Sequence, residues 1–219
     1  MNLDVTRFHR RGVLQTLAMI PVALLAAACG IGPSRSAGAQ GGEGAAGSPL
    51  AAGHALDPTP SCADVDDPTP PQTEGPYFTP NSPRRTSLLE PGVNGTPLVL
   101  TGRVLSTRCQ PVANALLDFW QCDNTGQYDT RGYRLRGHQF TNADGTYRLE
   151  TIVPGLYPGR TRHIHVKVQA PNRPVLTTQL YFPNEPGNQR DSIFNPKLVM
   201  RLSDTSEGKA GAFDFVLQL

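Results

Sequence analysis

The stretch RHIHVKV at residues 162–168 decides the fold, because apolar and polar residues alternate along it. Successive side chains of a β-strand point to opposite faces, so Ile164, Val166 and Val168 share one face that is suited to a core. His163 and His165 then project together from the other face. The alternation predicts a half-buried β-strand that presents two neighbouring imidazoles.

Further short runs of strand character, separated by turn signals, lie on both sides of this stretch. They cover residues 98–105, 115–120, 139–141, 146–149, 175–182 and 213–219. The sequence Asn142-Ala143-Asp144-Gly145 predicts a hairpin between residues 139–141 and 146–149. In the last run, Phe213, Phe215, Leu217 and Leu219 fall on one face. Residues 57–219 contain no convincing helical period, so the chain is predicted to be all-β, a β-sandwich with long loops.

The composition agrees with a loop-rich β protein and excludes two broad classes of function. Gly (22) and Pro (21) are both abundant among the 219 residues, which a helical bundle would not tolerate. The formal net charge is only +2. That balance is too small to indicate binding to nucleic acid or to a charged membrane surface.

The first 56 residues read as a leader and a tether. Residues 1–29 are predicted to be a signal peptide, since Arg10 and Arg11 precede an apolar run at residues 19–28 that is too short to span a bilayer. The paired arginines resemble a twin-arginine export signal, and an ordinary secretory signal is the alternative. Residues 26–29 (AAAC) resemble a lipoprotein cleavage box with Cys29 as the lipidated residue, the alternative being plain cleavage.

Residues 30–56 are mostly Gly, Ala and Ser, so they are predicted to be a flexible linker. The folded domain is then residues 57–219. The predicted location is outside the cytoplasm, in the cell envelope or the extracellular space, with a lipid anchor if Cys29 is modified. Cys62, Cys109 and Cys122 remain in the domain, and export permits a disulfide among them. The sequence does not choose among the three pairings or the unpaired alternative.

The residues around the His163–His165 pair suggest a metal centre. Neutral imidazole is a common metal ligand, although an H-x-H pair alone is a weak signal. Tyr157 lies in a Pro- and Gly-rich turn that leads into the histidine strand, and Tyr128 follows the strand at residues 115–120. Two phenolates and two imidazoles suit a hard trivalent ion. Tyrosinate matches zinc poorly, because zinc sites favour Cys, His and carboxylate.

The order of several motifs makes a more specific argument than any one of them. The series is TEGPYF (73–78), DFWQ (118–121), GQY (126–128), residues 141–147, VPGLYP (153–158) and HIH (163–165). In this order the motifs resemble those of the intradiol ring-cleavage dioxygenases, the family of the protocatechuate and catechol dioxygenases. The resemblance covers roughly residues 62–182. It implies a prealbumin-like β-sandwich.

The resemblance also implies a set of roles. It implies one Fe(III) per chain, held by two tyrosinates and two histidines, and cleavage by O2 of catechol-type rings to muconate-type diacids. The implied iron ligands are Tyr128, Tyr157, His163 and His165, with Tyr157 as the axial ligand that leaves when substrate binds. Arg160 matches an arginine that stabilises negative charge on the ring, and Gln179 matches a polar residue near the iron. A substrate-side loop is matched by Gly75, Pro76 and Tyr77.

Two departures and two rival functions accompany this reading. Tyr157 and His163 are closer in the chain than in the best-known members, which weakens the Arg160 assignment, and the helical N-terminal region of the catechol branch is missing. One rival is a binding or carrier module on the same sandwich, which would need no Tyr/Tyr/His/His set. The other is a copper or zinc enzyme, which leaves both tyrosines without a role. The natural catechol and the oligomeric state are not readable from the sequence.

Overall fold

A computed structural model of the chain describes residues 67–219. The predicted signal peptide, Cys29, the linker and Cys62 lie outside the described residues, so these expectations stay predictions. Within residues 67–219, no helix has the length and apolar character needed to cross a membrane. The description below therefore concerns the domain that carries the motif series.

Nine strands make up the regular structure of residues 67–219. They are β1 (Pro97–Ser106), β2 (Leu116–Trp120), β3 (Arg136–Phe140), β4 (Thr146–Ile152), β5 (His163–Gln169), β6 (Leu176–Tyr181), β7 (Arg201–Thr205), β8 (Gly208–Ala212) and β9 (Phe215–Leu217). A single turn of 3-10 helix, Pro196–Leu198, is the only helical element in this part of the chain. The prediction of an all-β fold is therefore confirmed.

The strands form two sheets. The first has the order β4-β1-β8-β7, with β9 pairing in parallel beside the end of β1. The second has the order β3-β2-β5-β6 and is antiparallel throughout. The histidine strand β5 is an inner strand of the second sheet, so both of its edges are hydrogen-bonded.

The alternation of side chains places one continuous core between the sheets. Leu98, Leu100 and Val104 of β1 belong to the same buried cluster as residues from β2, β4, β5 and β6. Ile164, Val166 and Val168 are fully buried in it, as the sequence predicts. Burial of such apolar area is the main favourable contribution to folding. The face of β5 that carries His163 and His165 is therefore turned away from this core.

The predicted hairpin at residues 142–145 is wrong. The turn itself forms, since Gly145 N–H donates to the Asn142 carbonyl at 3.0 Å. However, β3 before the turn belongs to the second sheet and β4 after it belongs to the first. The reason is the long antiparallel pairing of β4 with β1, from Arg103↔Thr146 to Pro97↔Ile152. The turn is a corner between the sheets.

The C-terminal strand is shorter than predicted, and two strands were missed. Only residues 215–217 are extended and paired, and all three are buried, whereas Leu219 is 40% exposed. Strands β7 and β8 have mostly polar or small residues without an apolar alternation. Their hairpin pairing is what defines them, and neither composition nor periodicity signals it.

The cysteines are partly resolved by the structure. Cys109 is disulfide-bonded, and Cys122 is a free, buried thiol. The two pairings that involve Cys122 are therefore excluded, as is the alternative of three unpaired cysteines. The partner of Cys109 lies outside the described residues.

Candidate active site

One transverse row of the second sheet collects several of the polar residues of the site. In the strand register, Arg136 of β3 is opposite Trp120 of β2, Trp120 is opposite His165 of β5, and His165 is opposite Gln179 of β6. Directly opposed residues lie on the same face of a sheet. All four side chains are buried, because loops cover this face. His163 lies one step along β5, opposite Tyr181 of β6.

Three potential ligand atoms converge above this row. Tyr128 Oη lies 3.2 Å from His163 Nε2 and 3.1 Å from His165 Nε2, and the two Nε2 atoms are 3.2 Å apart. Two ligand atoms that each bind one ion at about 2 Å are separated by about 3 Å. The observed triangle therefore has the dimensions of a metal-binding face.

The triangle contains too few protons to be explained by hydrogen bonds alone. His163 Nδ1 donates to the Thr161 carbonyl at 2.6 Å, so Nε2 of a neutral His163 carries no proton. The Tyr128 hydroxyl and His165 Nε2 can supply at most two protons for three contacts. A cation that accepts lone pairs from all three atoms satisfies each of them at once.

Electrostatics at the site support the same conclusion. Burial lowers the pKa of His163 to about 4 and the pKa of His165 well below its ordinary value, so both imidazoles are neutral at pH 7. Neutral imidazole is the form that binds metals. Burial also raises the pKa of the Tyr128 phenol well above its ordinary value. A tyrosinate at this position therefore requires a nearby positive charge.

Tyr157 reaches the same region from its turn but has a different partner. Its ring lies 5.7 Å from the Tyr128 ring in an edge-on arrangement. Its hydroxyl is hydrogen-bonded to the Tyr77 hydroxyl, with 3.0 Å between the oxygens. Tyr77 in turn stacks on Tyr128 with 4.5 Å between centroids. Three predicted ligands thus meet at hydrogen-bond distance, and the fourth stands beside them.

The turns that carry the two tyrosines are in contact through glycine. A Cβ on Gly126 would lie 2.3 Å from the Leu156 carbonyl oxygen, and a Cβ on Gly155 would lie 2.4 Å from the Gly126 nitrogen. No larger residue fits between such backbones. Gly155 N–H also donates to the Asp123 carbonyl at 2.7 Å. The positions of Tyr128 and Tyr157 are therefore mechanically coupled.

Arg160 and Gln179 are brought together as a pair. Arg160 Nη2 donates to Gln179 Oε1 at 2.7 Å, and Gln179 Nε2 donates to the Thr73 carbonyl at 2.9 Å. Arg160 Nε forms an ion pair with Asp191 at 2.8 Å. Hydrogen bonds from Thr161 and the Arg160 guanidinium hold the pKa of Asp191 below its ordinary value despite partial burial of the carboxylate. Among the described residues, Arg160 Nη1 has no hydrogen-bond partner, which leaves it available to a ligand.

The predicted substrate-side loop lies against the histidine. Gly75 has a positive φ of 70°, and a Cβ there would contact His165 Cε1 at 3.4 Å. Tyr77 occupies the space beside both tyrosines, as described above. Pro76, between them, is exposed and turns the chain. The loop 73–78 therefore packs against His165 through Gly75 and against both tyrosines through Tyr77.

The donor set fits a hard cation. Residues 67–219 contain no group of three or more His, Cys, Asp or Glu that could hold a metal ion. The cluster described here is of another kind, since phenol oxygens replace carboxylates and thiolates. Two imidazoles and one or two phenolates match Fe(III) better than zinc.

Comparison with known proteins identifies the family. A family model described as dioxygenase matches residues 73–219, which is most of the described domain. The chain belongs to the intradiol ring-cleavage dioxygenase family. This match includes every ligand and loop residue that the motif series singled out.

Curated members of this dioxygenase family are moderately similar. The protocatechuate 3,4-dioxygenase beta chain of Burkholderia cepacia is 34% identical over 157 residues, covering 58% of this chain and 67% of that protein. The hydroxyquinol 1,2-dioxygenase of Nocardioides simplex is 31% identical over 147 residues, covering 56% and 50%. The chain thus spans about half to two thirds of the length of these relatives.

Solved dioxygenase structures share the fold. The dioxygenase domain of a dioxygenase–carbohydrate-binding protein fusion from Streptomyces sp. SirexAA-E is 59% identical, with a TM-score of 0.69, covering 70% of this chain and 99% of that one. An intradiol ring-cleavage dioxygenase from Tetranychus urticae is 26% identical, with a TM-score of 0.63, covering 69% and 94%.

The sequence predicted most of the residues at this centre and missed three that support them. Asp191, which holds Arg160, is far along the chain in a loop without a readable rule. Trp120 lay inside the quoted motif DFWQ, but its contact with His165 depends on the register of β2 and β5. Phe78 ended the motif TEGPYF and packs on Trp120. No signal in a single sequence assigns such contacts.

Proposed function

We propose that the protein is an Fe(III)-dependent enzyme that cleaves catechol-type rings between the two hydroxyl-bearing carbons. The observation that carries the proposal is the convergence of Tyr128 Oη, His163 Nε2 and His165 Nε2 within 3.2 Å of one another. Tyr157 is the fourth ligand. Both oxygen atoms of O2 enter the product, a muconate-type diacid, so the reaction needs no further reductant. The two-sheet fold supports the prealbumin-like sandwich that the motifs imply.

The ion would be held by Tyr128, Tyr157, His163 and His165. When bound, Fe(III) supplies Lewis-acid chemistry that draws electron density from a catechol and orients it toward O2. The protein side of the site is otherwise dry, since both histidines are 3% exposed. Exclusion of water strengthens every charge interaction within the site.

Tyr77 holds the displaceable tyrosine. Its hydroxyl shares a hydrogen bond with Tyr157 Oη, and this bond raises the pKa of Tyr77. If a catechol replaced Tyr157 as a ligand, a proton from one catechol hydroxyl would end on the Tyr157 phenolate oxygen. Tyr77 Oη then remains a hydrogen-bond partner for the protonated Tyr157, so the released side chain is not left unpaired in a partly buried position.

Arg160 would act on the ring and not on the ion. Asp191 and Gln179 fix its guanidinium at two nitrogens, and Nη1 is left over. A fixed cation is well suited to stabilise negative charge that develops on a bound catecholate, a donor role worth about 3–4 kcal/mol in comparable sites. The planar guanidinium also suits this fixed geometry better than a lysine ammonium.

The substrate class follows from the site and from the names of the relatives. The matched proteins include protocatechuate, hydroxyquinol and catechol dioxygenases, all named for rings with adjacent hydroxyls. A ring with two adjacent hydroxyls presents two oxygens that would both bind one ion held by the four residues. A panel of catechol, protocatechuate and hydroxyquinol therefore covers the substrates to be compared.

The decisive experiment is product identification under labelled oxygen. Purified protein is expected to be red-brown from tyrosinate-to-iron charge transfer, with about one iron per chain. Mass spectrometry should show a muconate-type diacid with two labelled oxygens. A yellow semialdehyde would indicate cleavage beside the diol, and a colourless, iron-free active protein would contradict the iron assignment. A colourless protein that binds catechols without turnover would indicate a carrier.

Arg160→Gln tests the role of the arginine. We expect kcat to fall about 100-fold or more, because the interaction is made with developing charge. Iron content and colour should be nearly unchanged. Arg190→Gln is a matched control, because Arg190 is exposed and precedes Asp191, the residue that pairs with Arg160. Full activity of Arg160→Gln would remove Arg160 from the mechanism and leave the family assignment intact.

We also propose that residues 1–29 export the protein and that Cys29 anchors it. The support is the paired Arg10 and Arg11, the apolar run and the AAAC sequence. Replacement of both arginines by lysine should stop delivery to the cell envelope, and Cys29→Ala should release the protein from membranes. Full export of the lysine variant would indicate an ordinary secretory signal.

A further inference from the structure

The two histidines of the candidate iron site are held in different ways. Nδ1 of His163 donates to the Thr161 carbonyl at 2.6 Å. Nδ1 of His165 is buried and has no hydrogen-bond partner among the described residues. Histidines that bind metals almost always donate the second N–H to a partner, which fixes the orientation of the ring. Within the described residues, the ring of His165 is therefore held by contacts other than a hydrogen bond at Nδ1.

The contact that takes this place is aromatic. The indole of Trp120 lies parallel to the His165 imidazole, with 4.8 Å between centroids and 9° between planes. Trp120 is opposite His165 in the pairing of β2 with β5, so both side chains rise from the same face. Offset stacking of two flat rings resists any rotation that would tilt one ring away from the plane parallel to the other.

Trp120 is itself supported from the protein surface. The Phe78 ring packs edge-on against the indole, with 5.0 Å between centroids. The Lys167 ammonium lies 3.5 Å from the Phe78 ring centroid and 2.5 Å from the Glu74 carboxylate. A continuous line of contacts thus runs from a surface ion pair to the buried imidazole.

The loop of Phe78 also confines the other edge of His165. The missing Cβ of Gly75 would stand 3.4 Å from His165 Cε1 and 3.9 Å from Nε2. The backbone of this loop is therefore close to the edge of the ring that carries the ligand atom. The φ of 70° favours glycine at this position, and a Cβ there would be in ordinary van der Waals contact with the ring.

We infer that Trp120 is a positioning residue for His165. Its stacked ring fixes the orientation of the imidazole, a role that a hydrogen bond at Nδ1 has in most metal-binding histidines. The inference rests on the proposed function, in which His165 Nε2 binds iron. It extends that function to a residue that touches neither the ion nor a substrate. Stacking fixes the plane of the imidazole and so the direction of Nε2 toward Tyr128 and His163.

The chemistry of the indole makes a sharp test possible. Trp120 Nε1 is buried without a hydrogen-bond partner among the described residues, so its N–H is not what holds the ring. Any aromatic ring that keeps the stack should then serve. Trp120→Phe should rescue the function, and Trp120→Leu should not, although both shorten the side chain.

The matched control is Phe119→Leu. Phe119 precedes Trp120 on β2, is fully buried, and faces the core opposite Val166. This substitution removes a ring of similar burial from the same strand without touching His165. It separates loss of packing from loss of the stack.

The experiment measures iron release to a chelator and the visible charge-transfer band in the iron-loaded proteins. We expect Trp120→Leu to release iron about 10- to 100-fold faster than wild type, because loss of an outer partner of a metal ligand typically costs about 10- to 100-fold in metal affinity. Its visible band should shift. Trp120→Phe should stay within about threefold of wild type, and Phe119→Leu should melt earlier with unchanged iron release.

A second readout needs no iron. In the metal-free protein, the ring protons of His165 should show the upfield NMR shift of a stacked imidazole, which Trp120→Leu abolishes while His163 is unaffected. If Trp120→Leu fails to fold, Phe78→Leu, which removes the support behind the indole, should show the same changes at smaller size.

The outcomes are separable. Wild-type iron release in Trp120→Leu, or equal acceleration in Phe119→Leu, would overturn the inference. A wild-type protein that binds no iron would instead refute the proposed function, and the NMR shifts would still decide whether Trp120 orients His165.

Discussion

At the scale of single residues, burial decides what each group at the site can do. His163 and His165 are kept neutral by their surroundings, and the Tyr128 phenol is kept from ionising unless a cation is near. Both preferences suit a cation, because neutral imidazoles can donate lone pairs to it and its positive charge would favour the tyrosinate form of Tyr128. The same burial that weakens the free groups as acids and bases makes them a selective ligand set.

Replacement of either histidine by alanine should remove most of the iron. Loss of an outer partner alone costs about 10- to 100-fold in metal affinity, so loss of a ligand should cost more. Tyr157→Phe should retain more iron than either variant and shift the visible band, because Tyr157 is the ligand that we propose substrate displaces.

The matched control is His138→Gln. His138 Nδ1 is hydrogen-bonded to the Ser82 carbonyl and does not belong to the ligand triangle. Iron analysis of the four purified variants decides the matter. Wild-type iron content in both histidine variants would contradict the assignment.

Cys122 should resist alkylation in the native protein. Burial raises the pKa of its thiol to about 11. At pH 8 the thiolate would then be about one part in a thousand, against about a quarter for an ordinary thiol, and the thiolate is the reactive form. Mass spectrometry after iodoacetamide treatment should show slow labelling that accelerates toward pH 11 and becomes rapid in denaturant. Rapid native labelling at pH 8 would show that the thiol is accessible and ionised.

At the scale of elements, the four proposed ligands come from one strand and two turns. Strand β5 supplies both imidazoles at a spacing that the pleat fixes, and the turns supply the tyrosines. The turns contact each other through Gly126 and Gly155, so a shift of one turn's backbone requires a shift of the other, whereas the tyrosine side chains can still rotate.

Gly126→Ala should be far more damaging than Gly159→Ala. Both glycines have a positive φ, 86° and 80°, and alanine in that conformation costs about 1–2 kcal/mol. A Cβ at Gly126 would also meet the Leu156 carbonyl at 2.3 Å, whereas one at Gly159 meets nothing within 4 Å. We expect at least about 1–3 kcal/mol more loss for Gly126→Ala, as for other overpacked sites, together with a weakened visible band. Equal unfolding free energies in urea for the two variants would contradict the coupling of the turns.

Sequence patterns predicted the strands in which apolar and polar side chains alternate. They missed β7 and β8, which are recognisable only from their hydrogen-bonded pairing with each other. Strands β1, β2, β4, β5 and β6 bury apolar residues, and the predicted runs overlap each of them. The predicted run at residues 139–141 overlaps β3, although β3 buries Arg136 and Gln139 and exposes Phe140. Strand β8 has the sequence GKAGA, which carries no such pattern. The corner at residues 142–145 has the local chemistry of a hairpin, but long-range pairing with β1 assigns the following strand to the other sheet.

For the candidate site, too, the sequence predicted the residues that local motifs carry and missed the contacts between distant segments. The H-x-H pair follows from strand geometry, and the tyrosines follow from the order of motifs. Arg160 and Gln179 were expected near the iron, and the structure pairs them with each other. The contacts of Asp191 and Trp120 arise only when distant segments meet, so local sequence could not assign them.

At the scale of the whole molecule, the N-terminal side of the domain is tied to the first sheet. Asp67 and Cys109 line one groove of about 1070 Å³, and Asp67 forms an ion pair with Lys197 at 2.7 Å. Cys109 is disulfide-bonded, and Cys122 is free. The partner of Cys109 is therefore Cys62 or Cys29.

We expect the bond to join Cys62 to Cys109. Cys62 is five residues before Asp67, whereas Cys29 is 38 residues before it; five residues span at most about 18 Å, so Cys62 is held near the groove that Asp67 and Cys109 line. Peptide mapping without reduction should find this pair, and Cys62→Ala should cost about 2–4 kcal/mol of unfolding free energy. Cys122→Ala leaves the map unchanged. A Cys29–Cys109 bond would contradict the prediction and would also exclude lipidation of Cys29.

The pairing of β5 with a strand on each side determines which part of the site opens first in local unfolding. Its amides are hydrogen-bonded to β2 on one side and β6 on the other, whereas the turn of Tyr157 depends on a few isolated bonds such as Gly155 to Asp123. Local opening occurs first where such bonds are few. Deuterium should therefore enter residues 155–160 long before residues 163–168. In a protein that opens in this order, the turn that carries Tyr157 exposes its amides many times while the two imidazoles stay in place. If the proposed ligand set is correct, reversible ligand exchange and durable retention of the ion would therefore belong to different parts of one centre.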